Sequence, residues 1–302
     1  MRHLTNTSKS YLFKLSIPIF FSNIAIPFVG LVDTGLMGHL NDLKFLAAIS
    51  IATSVITMVF WSFGFLRMGT VSLVAQSLGR KDWNEIILVF VRNLILALFF
   101  GLSIVLLKDL ILFLVEYYFK TSQETQFLIN KYISIRIFSA PAELVLYVLV
   151  GLYLGLQKTN IASLAISVFC ISNIILSSIF VINFNLNVTG VAAGTLISAY
   201  LTIIIFLLFS FFKYKNKFYG SFIIAKIFNR KKILQLFNIN LDIFIRTILL
   251  TFSFLWITYQ SSKLGENYLA INTIILQFVL IASFFLDAYA FSTEAVVGYT
   301  LG

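Results

Sequence analysis

Residues 86–107 read IILVFVRNLILALFFGLSIVLL, 22 positions in which Arg92 is the one charged side chain. As an α-helix rising 1.5 Å per residue, this run is about 33 Å long, enough to cross the roughly 30 Å of hydrocarbon in a bilayer. It is apolar on every face, and a helix without a polar face has no side to show to water. Working outward, eight such candidate spans fall at approximately 15–38, 45–78, 86–107, 127–156, 161–183, 188–212, 236–261 and 268–298. Between the third and fourth, Asp109 to Lys120 reads as a short amphipathic helix lying at the interface. The 302-residue chain as a whole is 60% hydrophobic and 11% charged, with 33 Phe and a mean hydropathy of +0.97. Ordinary soluble domains are about 25% charged. A water-soluble globule is excluded on these numbers, and three Pro with 15 Gly exclude collagenous and disordered classes. The expected fold class is an all-α membrane protein with about eight transmembrane helices.

The first run follows Arg2, Lys9 and Lys14, as a secretory leader would. It is too long for one, contains Pro18 and Pro27, and leads into a second span without a small-residue cleavage site. Cys170, the single cysteine, lies inside an apolar run, so the chain offers no disulfide framework and no cysteine-based metal site.

The formal charge is +10. Lys and Arg accumulate in cytoplasmic loops of membrane proteins, and that bias gives orientation. Leaving out the intramembrane Arg67, Arg92, Arg136 and Arg246, a cytoplasmic N-terminus puts thirteen basic residues inside and five outside. The inner set is the N-terminal three, Arg80, Lys81, Lys158 and the seven from Lys213 to Lys232. Both ends of an even number of spans are then cytoplasmic, in the inner (plasma) membrane. The segment from Lys213 to Lys232 contains no acid and reads as a topology anchor beside anionic lipid. It carries no folded recognition module, so nucleic acid is not an expected partner. The chain divides into 1–212, a six-helix lobe; 213–235, a basic cytoplasmic linker; and 236–302, the start of a second lobe.

Comparing the chain with itself at a shift of 223 residues aligns Phe45-Leu46-Ala47 with Tyr268-Leu269-Ala270. The same shift aligns Thr70, Val74, Leu78 and Gly79 with Thr293, Val297, Leu301 and Gly302. A six-span unit followed by the first two spans of a second explains this. Because six is even, both units enter the membrane in the same direction, as parallel repeats with a cavity between them near the midplane. At that repeat length a complete second unit extends the chain to about 440 residues.

No nucleotide-binding glycine loop, zinc-protease motif, paired-cysteine motif or nucleophile elbow occurs in a suitable context, and an enzyme is not expected. Neither a catalytic nor a metal site is expected. The informative residues are ionisable groups within apolar runs, each costing at least about 2.5–3.5 kcal/mol at a helix centre unless it is paired or lines a polar cavity. Asp33, in Val32-Asp33-Thr34-Gly35, lies on a helix interrupted by two prolines. A lone carboxylate in a cavity can alternate between charged and protonated forms, the chemistry of ion coupling; a helix-end carboxylate bonded to loop amides is the plainer possibility. Asp242 and Arg246, four apart, are expected to form a structural pair. Glu143 and Arg136 share a face of the fourth span and are expected to pack or pair. Asp287 and Glu294, two turns apart on the eighth span, either line the cavity or partner an arginine on a neighbouring helix.

At these residues the chain resembles the multidrug and toxic compound extrusion (MATE) family, especially its DinF-like branch. The resemblance rests on Val32-Asp33-Thr34 with Gly38-His39-Leu40, and on Phe65-Leu66-Arg67-Met68 with Ala75-Gln76-Ser77-Leu78-Gly79. Arg136 before Ser139-Ala140-Pro141, Gly155-Leu156-Gln157, Gly190-Val191-Ala192-Ala193, Asp242 to Leu250, and Leu286-Asp287 with Glu294-Ala295 follow in the family's order. It implies two six-helix lobes that exchange an organic cation for H⁺ or Na⁺, with no other cofactor. Carried over by position, Asp33 matches the first-helix aspartate of ion coupling. Asn173 and Thr195 match members of the same polar cluster. Four residues after that asparagine the family often has a second aspartate; here it is Ser177, which cannot carry charge, so Asp33 is the one titrating candidate of the first lobe.

Against the family's length, the segment matching helices nine to twelve does not appear, so a fragment or truncated product is expected rather than a natural short form. Expressed alone, the 302-residue chain is expected to insert but not to export. The expected activity is cation-coupled export of organic cations, with lipid as the surrounding partner. A lipid-linked saccharide flippase of similar architecture is the alternative, but its pyrophosphate calls for clustered cations, and the arginines here are scattered over four spans. A non-transporting membrane subunit or remnant is the alternative from a different class.

Overall fold

The structure, a computed structural model, describes residues 4–39, 43–119, 121–218, 229–264 and 266–302, and every regular element among them is helical. In chain order these are α1 (Leu4–Gly38), α2 (Leu43–Trp61), α3 (Phe65–Gly79), α4 (Trp83–Leu106), α5 (Lys108–Tyr118) and α6 (Gln123–Arg136). Then come α7 (Ala140–Gly155), α8 (Thr159–Ser178), α9 (Asn187–Phe218), α10 (Arg230–Leu264) and α11 (Glu266–Leu301). Six spans among the described residues are long and apolar enough to cross a membrane: Ser10–Gly38, Lys44–Gly79, Trp83–Leu106, Gln123–Gly155, Thr159–Asn183 and Asn187–Lys215. The expected seventh and eighth spans fall within α10 and α11, and the expected interfacial helix is α5, whose final expected residue, Lys120, lies outside the described residues.

Three of the expected continuous spans contain breaks. The second turns at Ser62-Phe63-Gly64 between α2 and α3. The fourth passes through a 3₁₀ turn, Ile137–Ser139, before Pro141 enters the first turn of α7, where its missing N–H costs nothing. The fifth closes with a π-helical turn, Ile179–Asn183. Side chains also set helix starts: Asp82 accepts the Glu85 N–H at 3.0 Å to begin α4, and Ser122 accepts the Thr125 N–H at 3.3 Å to begin α6. Several helices outrun their apolar stretches. Of the basic segment 213–235, residues 213–218 continue α9 and residues 230–235 belong to α10, while 219–228 lie outside the described residues.

α7 forms the centre of the first lobe. Every residue in it except Tyr147 is buried, and it packs on α3, α4, α8 and α9. α1 lies along α8, α2 along α6, and α8 along α9, completing the six-span bundle. Its outer surface carries exposed Phe99, Phe113, Phe184 and Phe212, as lipid-facing helices do. At one end, which carries the basic loops, Lys158 donates to the Tyr214 hydroxyl at 2.7 Å and Tyr11 donates to Gln157 Oε1 at 2.9 Å. At the other end Lys44 pairs with Glu124 at 2.9 Å.

α10 and α11 pack on each other and close against this lobe, α10 on α3 and α11 on both α3 and α1. Phe13 meets Tyr289 and Phe20 meets Phe285, with ring centroids 6.3 and 5.3 Å apart. Gly79 and Gly302, which correspond under the 223-residue shift, touch each other: a Cβ on Gly79 would lie 3.0 Å from Gly302 Cα and nearer still to the Tyr299 carbonyl.

Candidate functional site

Ionisable and polar groups gather at three places. The first is inside the six-span lobe. Asp33, on α1, is 8% exposed, and its Oδ1 is buried without a hydrogen-bond partner. The cation whose charge acts on it is Arg136, at the end of α6. The 3₁₀ turn after Arg136 brings Ser139 and Glu143 back toward it, and the guanidinium donates to both. Ser139 Oγ lies 2.9 Å from Glu143 Oε1, and the Arg136 guanidinium carbon sits 5.2 Å from the Phe60 ring centroid. The pairing expected of Arg136 with Glu143 is present, and it neutralises the glutamate. Buried Tyr132, one turn before Arg136, feels the charges of both Asp33 and Arg136. The cluster thus holds one satisfied ion pair and one carboxylate with a free acceptor, able to take up a proton or a small cation.

The second place joins α8 and α9. Asn173 donates to Thr195 Oγ1 at 2.9 Å, and Ser177 donates to Asn173 Oδ1 at 3.3 Å, with all three side chains buried. Gly194 makes this approach possible, since a Cβ there would stand 2.5 Å from Ser177 Oγ. The three residues form one network, but Asp33 is outside it; its charged neighbour is on α6.

The third place lies between the lobes. Arg67, on α3, stacks on Phe291 of α11, with its guanidinium carbon 4.1 Å from the ring centroid. Asp287 and Glu294 flank Phe291 on α11, and Arg67 and Arg246 are the cations whose charges act on both acids. Asp242 and Arg246 do not form the expected pair: no ion pair joins them among the described residues, and both side chains are exposed. Spacing of four allows such a pair without requiring it, and Arg246 acts toward α11 instead. Asn240 is buried against Gly69, with both side-chain amide atoms unpartnered.

Tyr132 and Asn240 were not marked by their sequence. A tyrosine and an uncharged amide amid apolar residues give weak signals, and only their burial beside charges or backbone makes them stand out.

A bundle of six candidate spans with two further long helices docked across an ionisable interface defines a multi-pass helical membrane protein. The sequence matches the MatE family over residues 18–179, and the chain belongs to that family. It is 32% identical to DNA damage-inducible protein F of Escherichia coli (strain K12) over 302 residues, all of this chain and 65% of that protein. It is 24% identical to the multidrug export protein MepA of Staphylococcus aureus (strain N315) over 249 residues, 81% of this chain and 55% of the relative. Among solved structures, a MATE crystal structure in the bent conformation superposes with a TM-score of 0.86 at 22% identity, covering 96% of this chain and 65% of the other. An outward-facing multidrug resistance MATE transporter of the MOP superfamily gives 0.83 at 23%, covering 96% and 64%. The chain therefore spans less than two thirds of the length of these relatives.

Proposed function

We propose that this protein is part of a cation-coupled antiporter that exports organic cations across the inner membrane, with H⁺ or Na⁺ as the coupling ion and Asp33 as the coupling residue. The observation that carries the proposal is the contrast between two buried carboxylates of one lobe: Glu143 is neutralised by Arg136, whereas Asp33 keeps an unpartnered oxygen. A buried anion without a partner is costly, and binding a proton or Na⁺ relieves the cost. Asn173, Ser177 and Thr195 are the uncharged part of the same machinery, tuning how α8 and α9 pack behind α1. Placing the basic end in the cytoplasm follows the positive-inside rule. Ring contacts join α1 to α11 at Phe13–Tyr289 and Phe20–Phe285, and α3 to α10 at Phe65–Phe244. Drug and coupling ion exclude each other because each favours an oppositely facing arrangement of the lobes. The multidrug export protein among the relatives supports a broad organic substrate.

The test is uncoupler-sensitive efflux of a fluorescent organic cation from energised vesicles, assayed in a version of the chain with six helices in each lobe. Asp33→Asn should abolish coupled efflux while insertion is retained. Undiminished efflux in that variant would overturn the assignment and direct attention to Asp287 and Glu294.

A further inference from the structure

Asp287, Phe291 and Glu294 stand at positions i, i+4 and i+7 of α11, one face of one helix. An aromatic ring between two carboxylates is a receptor for an organic cation: the ring attracts positive charge to its face, and the acids supply the counter-charge. In the structure that ring is already occupied. The Arg67 guanidinium lies 4.1 Å from its centroid, reaching across from α3 in the other lobe. Arg67 touches the ring directly, while Asp287 and Glu294 act on it by charge without an ion pair among the described residues, and its Nε is buried without a hydrogen-bond partner. A guanidinium placed there for stability alone would be expected to find a bidentate carboxylate, the geometry its fork favours. Here the two acids on the same face as the ring form no ion pair among the described residues.

We infer that Arg67 is a tethered internal cation, occupying the Asp287–Phe291–Glu294 face when the lobes are closed and giving way to an exported organic cation when they part. The inference rests on the proposed export of organic cations and names the residues that select them. Flat or bulky delocalised cations, which compete for a ring face, are the favoured class. Small, strongly hydrated amines gain less from the ring and compete poorly. Arg67 also links recognition to conformation: displacing it removes a contact that holds α3 against α11, so substrate binding loosens the interlobe seam. Phe291, at 4% exposure, is covered by this contact, and a substrate reaches it only when the seam opens.

The experiment uses the purified 302-residue chain in lipid nanodiscs with tetraphenylphosphonium as the probe. Removing the tethered cation in Arg67→Gln should tighten probe binding by about tenfold relative to the unmodified chain. Arg67→Lys, which keeps a positive charge but as a strongly hydrated ammonium that competes less well for the ring, should give a smaller gain than Arg67→Gln. Phe291→Ala should erase the gain when combined with Arg67→Gln. Unchanged or weakened binding in Arg67→Gln, or an Arg67→Gln gain that survives Phe291→Ala, overturns the inference. A second measurement needs no substitution: phenylglyoxal modification of Arg67, read by peptide mass, should rise when the probe is added, and a fall or no change contradicts displacement. These readouts concern Arg67 and binding, whereas export is tested by efflux and Asp33. Efflux that depends on Asp33 while Arg67→Gln binds no tighter would therefore sink this inference alone.

Discussion

The Arg136–Glu143 pair shows how one residue's neighbours decide its role. Both side chains are almost fully withdrawn from solvent, and the 3₁₀ turn between α6 and α7 sets the two groups against each other with Ser139 alongside. Removing one partner leaves the other charge buried alone, so Arg136→Ala should lower stability by about 3–5 kcal/mol. The double change Arg136→Met with Glu143→Leu should cost clearly less, because no orphan charge remains. Thermal unfolding in detergent compares the two; an equal loss in both would mean that the pair acts through packing and not through charge. At this scale the sequence was only partly readable. Spacing of seven placed Arg136 and Glu143 on one face, and the pair formed. Spacing of four did the same for Asp242 and Arg246, and that pair did not. The difference is local: a turn aims the first two groups at each other, whereas the second two project from an uninterrupted helix into open surroundings. The stacking of Arg67 on Phe291 was illegible because 224 positions separate the residues, and only the docking of α11 on α3 joins them.

Helices were the most legible elements, since twenty apolar residues in a row have few alternatives to crossing a bilayer. Their interruptions were not. Gly64 and Pro141 hinted at the breaks in the second and fourth spans, but hydropathy averages over a turn of three residues and runs the two halves together. Where α3 and α11 cross, contact depends on the absence of side chains, as small residues allow helices to approach in lipid. Gly79→Val should therefore push the two helices apart, at a cost of about 1–3 kcal/mol. The measurement is again thermal unfolding, and an unchanged midpoint would show that the Gly79–Gly302 contact is not closely packed. α9 supplies a separate check of orientation. Asn185 precedes it and Asn216 lies near its end, so reporter fusions at the two positions should report opposite sides of the membrane, with Asn216 cytoplasmic. Both reporting the same side would show that α9 does not span.

On the scale of the whole molecule, a handful of matches at one shift is the sequence's sign of a parallel repeat, and two residues that correspond under that shift, Gly79 and Gly302, lie close together in the structure. The docking of α10 and α11 across α3 and α1 places Arg67, Asp287 and Glu294 at the seam between the units, while Asp33 sits within one unit. The Asp33 cluster and the Arg67–Phe291 contact are thus separate but joined through α1, which touches both α8 and α11. In such a transporter one lobe rocks against the other around the site between them. The most direct measurement is ion-driven dye accumulation in proteoliposomes, again with six helices in each lobe. An imposed gradient of H⁺ or of Na⁺ is the sole energy source. The account predicts that one of these gradients concentrates a fluorescent organic cation above its equilibrium level and that Asp33→Asn abolishes the accumulation. Dye that equilibrates only down its own gradient, at a rate indifferent to both ions and to Asp33, would contradict it.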